Sequence, residues 1–279
     1  MLPTDTDKAI DVAELAIYAI LTPPALYCLF RHGVQGLLGW LYIIIYCTIR
    51  LVAAGLKLKS DRDHTIFSGA LIVDNIGLSP LLLSAAGILH EAYVTNPNCP
   101  RPLQLCKLTL GTSLPSRHAR NAIKNSKLEW AVVLQYHILV STALALIAAS
   151  VANLASSDPS SSDMGILKGG FAIIFVAWAV LVLATLFSLL RPASYTSLAG
   201  NDDSFRNGTL LLNAVLFSLP MTLLRTIYGA INLFGSGTSM ETSSFSTNVA
   251  ADVCMNLLPP MLATIVFVVV GLLTPPRGK

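Results

Sequence analysis

Three carboxylates and two guanidinium groups lie inside the long apolar runs of this 279-residue chain: Glu14, Asp74 and Asp252, with Arg50 and Arg225. An ionised side chain at the centre of a bilayer costs at least about 2.5 to 3.5 kcal/mol on insertion scales, so such residues serve a site, pair with one another or reach the headgroups. Their neighbours share helical faces, because residues three, four, seven or eight apart lie on one side of a helix. Tyr42, Tyr46 and Arg50 make one stripe, Met221, Arg225, Tyr228 and Asn232 a second, Asp252, Asn256 and Pro259 a third, and Glu14 with Tyr18 a fourth; Asn75 follows Asp74 directly.

These residue types suit acid-initiated carbocation chemistry. A carboxylic acid kept neutral by apolar surroundings can act as a general acid, and aromatic faces stabilise a developing cation. Asp74, within IVDNIGLSP, is the favoured acid because it is the hardest of the three to place at a surface; Asp252 and Glu14, nearer their helix ends, are the other candidates. Arg50, Arg225, Tyr228, Asn75, Asn256, Tyr46, Tyr42 and Tyr18 are the expected lining of a substrate pocket. The arginines are not proton donors, and a guanidinium beside the acid favours its ionised form unless another carboxylate neutralises it. The same charges also read as pairs that fasten a helix bundle.

The elements that must position these groups follow from composition. The chain is 54% hydrophobic and 12% charged, with a mean hydropathy of +0.67; an average soluble domain carries about 25% charged residues. A helix needs about 20 apolar residues to cross the hydrocarbon core. Seven such runs are expected as helices, near 12–31, 36–57, 66–89, 130–154, 166–190, 208–234 and 252–273, forming one all-α polytopic membrane domain over 1–279. The first run follows the acidic segment MLPTDTDKAIDVAE, which is unlike a signal peptide. The one long break, His90 to Glu129, carries four prolines and the basic run PSRHARNAIKNSK, read as a cytosolic loop ending in an amphipathic segment. Since alternate helices run in opposite directions, Glu14, Arg50, Asp74, Arg225 and Asp252 all fall in one leaflet half. Loop lysines and arginines number eleven on the C-terminal side and five on the other. The positive-inside rule therefore puts the N-terminus in a lumen or outside and the C-terminus in the cytosol, with the endoplasmic reticulum the expected membrane.

Other chemistries lack their residues. Cys28, Cys47, Cys99, Cys106 and Cys254 form no CxxC pair or Cys/His group, so no metal site and no disulfide framework is expected. Neither DDxxD, GxGxxG, a Walker loop, HExxH nor GxSxG occurs, and no cofactor is expected. The small net charge of +3 argues against nucleic acid; the expected partners are the bilayer and a lipophilic small molecule. His137 is expected to hydrogen-bond between helices, and Trp40, Trp130, Tyr93 and Tyr195 to sit in interfacial belts.

Four segments carry a family likeness: LYCLFRHG ending the first helix, GW opening the second, IGLSPLLL in the third and LPMTLLRTIYGAINLF in the sixth. From Leu26 to about Thr274 the chain resembles an uncharacterised fungal family of seven-helix membrane domains. It is similar in character to the small multi-pass terpene cyclases of fungal biosynthetic clusters, which act on prenylated aromatic epoxides. The resemblance implies a metal-independent cyclase of meroterpenoid secondary metabolism and assigns no catalytic residue. A seven-helix receptor or lipid-binding sensor is the rival reading, and a transporter the weaker third.

Overall fold

A computed structural model describes residues 5–63, 78–95, 126–154, 161–190, 202–235 and 249–274. Among these no strand occurs, and the elements are all helical. The run Asp5–Asp63 is two helices, α1 (5–32) and α2 (34–63), parted at Gly33, whose φ of 64° and ψ of −154° lie outside helical space. A side chain is strained in that conformation, which makes glycine the natural hinge of the hairpin. Then follow α3 (Leu78–Thr95), α4 (Ser126–Leu154), α5 (Ser161–Leu190), α6 (Asp202–Gly235) and α7, which joins Val249–Ala251, a π-helical turn Asp252–Leu257 and Leu258–Leu273. Six of the seven are long and apolar enough to cross a membrane over Lys8–Gly33, Gly36–Ser60, Val133–Asn153, Ser162–Leu189, Arg206–Asn232 and Asp252–Leu273.

The third helix departs from expectation at its end. It continues to Thr95 instead of stopping at 89; of its expected start, 66–77 lies outside the described residues. The polar pair His90 and Glu91 does not end it, because both side chains are buried among neighbouring helices. From Ser79 to Tyr93 nearly every residue of α3 is buried, as a helix apolar all round should be when it occupies the centre of a bundle. It packs on the α1–α2 hairpin and on α6, and touches α4 and α5; α4 pairs with α5, and α6 with α7.

Small residues let the helices approach. A Cβ on Gly87 of α3 would lie 2.6 Å from the Gly39 Cα of α2, so the two backbones meet directly, the close crossing that small residues permit where lipid offers little hydrophobic drive. Within the hairpin, Glu14, Tyr18, Leu21, Ala25, Cys28 and His32 recur every four and three residues and turn inward, the spacing that keeps one seam facing a partner. Aromatic polar tips stitch the rest: Tyr136 donates to the Ala177 carbonyl and Trp178 to that of Leu219. Large apolar side chains such as Ile20, Phe30, Val176 and Leu183 are exposed, forming the lipid-facing surface.

Candidate functional site

The hairpin register brings Glu14 of α1 against Arg50 of α2. Arg50 Nε lies 2.6 Å from Glu14 Oε1, and the two residues are 1% and 2% exposed. Four residues along α1 and four back along α2, the Tyr18 and Tyr46 hydroxyls are 3.0 Å apart with their rings edge-on. The Arg50 guanidinium carbon stands 5.8 Å from the centre of the Tyr18 ring, a cation over an aromatic face. Further out, Asp11 and Lys57 extend the same ladder toward the helix ends at 4.0 Å.

A second polar group comes from α6 and α7. Tyr228 donates to Asp252 Oδ1 at 3.0 Å, and the Asn256 amide donates to the same oxygen at 2.8 Å. Asp252 and Asn256 are first and fifth in the π-helical turn, where the Leu258 N–H bonds five residues back to the Val253 carbonyl. That widened turn precedes Pro259 and Pro260, whose missing N–H groups would leave an α-helix short of two bonds. Isolated π turns occur frequently at functional sites. Arg225, one turn before Tyr228, sits 5.8 Å from that ring's centre.

The structure thus brings Glu14, Tyr18, Tyr46 and Arg50 together in one group and Arg225, Tyr228, Asp252 and Asn256 in another, and the first supplies the direct ion pair that an arginine in hydrocarbon requires. Tyr42 does not join them; its ring stacks at 5.2 Å on His137 of α4. Asp74 and Asn75 lie outside the described residues, as do the side chains of Trp130 and Tyr195. Among the described residues no group of three or more His, Cys, Asp or Glu could hold a metal ion.

A polar centre that sequence reasoning missed occupies the opposite end. His32 Nδ1 is 2.5 Å from Glu91 Oε1, Trp40 Nε1 donates to Glu91 Oε2 at 2.9 Å, and the imidazole lies 4.8 Å from the Trp40 ring. His32 Nε2 donates to the Gly271 carbonyl at 2.9 Å and Arg31 to that of Leu272 at 2.7 Å, so α1 caps the free carbonyls of α7. Trp40 is fully buried, not interfacial, and a Cβ on Gly271 would strike its indole. Tyr93 is likewise buried, bonding Ala184 and Ser188 of α5. The available signal was an adjacent His-Glu pair closing an apolar run. The expected helix end at 89 had placed both in a loop.

Apolar spans, buried charge at both ends and a lipid-facing exterior define an integral, polytopic helical membrane protein. The chain belongs to the family described as a domain of unknown function (DUF7702), whose model matches residues 4–110 and 101–276. No match to the chain is found among curated proteins or solved structures.

Proposed function

We propose that this protein is a membrane cyclase that opens the epoxide of a lipophilic prenylated substrate by protonation, in secondary metabolism. The observation carrying the proposal is the hydrogen bonding of Asp252. Both its donors, Tyr228 and Asn256, converge on Oδ1. Oδ1 accepts from two neutral groups, and whenever the carboxyl is protonated Oδ2 is the oxygen that carries the hydrogen to give. Glu14, held against Arg50, suits a permanent carboxylate that neutralises a cation. Among the described acids, Asp252, whose hydrogen-bond partners are neutral, is the one this proposal assigns as proton donor, and Tyr228 and Tyr46 offer faces to a cation.

In this reaction the epoxide oxygen takes the Asp252 proton as its C–O bond opens, and alkene electron pairs form the new carbon–carbon bonds. The final cation loses a proton that returns to the carboxylate, so the product is an isomer of the substrate. The membrane is the endoplasmic reticulum of a fungal cell, with the N-terminus lumenal and the C-terminus cytosolic, as the loop charges favour. The test is expression in a host lacking such a pathway, feeding epoxidised prenyl-aromatic compounds to its microsomes and searching for a product of unchanged mass. Microsomes that return every substrate unaltered count against the proposal.

A ligand-binding receptor or sensor is the second reading. The same seven-helix topology and the basic run PSRHARNAIKNSK, which could engage a partner, favour it. It requires saturable binding without turnover.

A further inference from the structure

We infer that His32, Glu91 and the last turn of α7 form a proton-dependent latch: one proton, bound in a buried histidine–carboxylate pair, fastens the end of α7 to α1 and α3, and its loss as the pH rises releases that end. The latch lies at the end of α7 away from Asp252 and depends on none of the chemistry proposed there.

Both ring nitrogens of His32 face acceptors. Nδ1 lies 2.5 Å from Glu91 Oε1, and Nε2 lies 2.9 Å from the Gly271 carbonyl oxygen. A neutral imidazole carries one hydrogen and fills one of these contacts, leaving a ring lone pair against an oxygen lone pair in the other; an imidazolium carries two hydrogens and fills both. Glu91 fits the same state as a carboxylate, since its Oε2 accepts from Trp40 Nε1 at 2.9 Å while Oε1 accepts from the ring. The imidazolium gains further from the Trp40 ring, whose centre is 4.8 Å away, and from the free carbonyls that close α7, which favour a cation. His137, also buried, shows the contrast. Its Nδ1 donates to the Val133 carbonyl of its own helix at 2.7 Å, in place of the expected bond between helices, and one hydrogen satisfies that contact.

The elements packed around His32 leave Glu91 as the anion that faces it. On α1, Arg31 bonds the Leu272 carbonyl at 2.7 Å and opposes a second cation beside it, while Cys28 approaches the Val268 carbonyl at 3.9 Å. From α2 comes the neutral Trp40, and on α3 His90 lines the cleft that Tyr93 and Tyr136 share. Leu258–Leu273 of α7 contains no ionisable side chain and offers only carbonyls. The side chains of His32 and Glu91 are 3% and 8% exposed, and a Cβ on Gly36 would lie 2.8 Å from Glu91 Oε2, so the chain itself closes over the pair. Loss of the proton leaves a buried carboxylate without its cation and one of the two acceptors without a donor, both unfavourable. The stability that the latch contributes is therefore present at low pH and lost as the pH rises.

The experiment uses the full-length chain in lipid nanodiscs, grown with isotope-labelled histidine and titrated by solid-state NMR. Of the five histidines, His32 is identified by its missing signal in His32→Gln and independently by its altered signal in Glu91→Gln. Its ring should carry two hydrogens at the acid end of the titration and lose one as the pH rises. Over that same interval amide exchange at 268–274, corrected for the intrinsic rate at each pH, should accelerate about tenfold, the worth of one hydrogen bond to a charged group. In Glu91→Gln the amide donates to Nδ1, so the ring should hold one hydrogen throughout that interval and exchange at 268–274 should stay level. A His32 ring with a single hydrogen at every pH where the parental protein is folded, level exchange across its titration, or an acceleration undiminished in Glu91→Gln would each overturn the inference.

Discussion

Removing one partner of the Glu14–Arg50 contact should cost far more than removing both. With Nε 2.6 Å from Oε1 and the charge centres about 4 Å apart, the attraction is about 4 kcal/mol at an effective dielectric of 20. Desolvating two ions consumes most of that gain, so the intact pair adds little net stability, while a single buried charge left behind costs about 3 to 5 kcal/mol. Glu14→Gln and Arg50→Met should each lose stability on that scale, and the double variant should lose less than either alone. Reversible unfolding from mild detergent into SDS, followed for all four proteins, closes a double-mutant cycle whose coupling should reach about 2 to 3 kcal/mol. Losses that simply add in the double variant would refute the reasoning and leave the two side chains as independent neighbours.

Gly87→Ala should separate α2 from α3, because the new methyl would lie 2.8 Å from the Leu38 carbonyl carbon as well as against Gly39. A loss of about 1 to 3 kcal/mol in the same SDS titration is expected, as for other overpacked sites. Glu91→Gln should be tolerated, since an amide can accept from Trp40 and donate to His32 Nδ1, whereas Glu91→Leu leaves Trp40 Nε1 and His32 Nδ1 without that partner and should lower the melting temperature sharply. A protease-sensitive tag after Lys279 should be cut from the cytosolic face of sealed microsomes and one before Met1 protected; the reverse pattern would invert the topology. Tyr228→Phe should reduce turnover less than Tyr228→Leu, because the ring face survives in the first although the bond to Asp252 is lost.

The helices were legible because crossing a bilayer demands about 20 apolar residues, a constraint that composition alone satisfies or violates. The shared faces of Glu14 with Tyr18, Tyr46 with Arg50 and Asp252 with Asn256 were legible too, from i, i+4 spacing. Which acid meets which arginine was not, since the Glu14–Arg50 match depends on the hairpin register set at Gly33. Tyr42 shows the limit of face arguments: it shares a stripe with Tyr46 and Arg50, yet the neighbour it meets is His137. The His32–Glu91–Trp40 centre joins residues 59 and 51 positions apart. No local period links them, and polar residues at a helix end resemble interfacial ones until burial is known.

The central claim is that Asp252 supplies the proton. The direct measurement is product formation by microsomes holding equal amounts of folded parental, Asp252→Asn and Glu14→Gln protein, with Asp74→Asn beside them, on an epoxidised prenyl-aromatic substrate the parental protein isomerises. A general acid contributes about 10² to 10⁴ in rate, so Asp252→Asn should fall by that factor. Glu14→Gln, at equal folded protein, should turn over within a few-fold of the parental rate. Parental rates from Asp252→Asn would contradict the account, the more so if Asp74→Asn were dead.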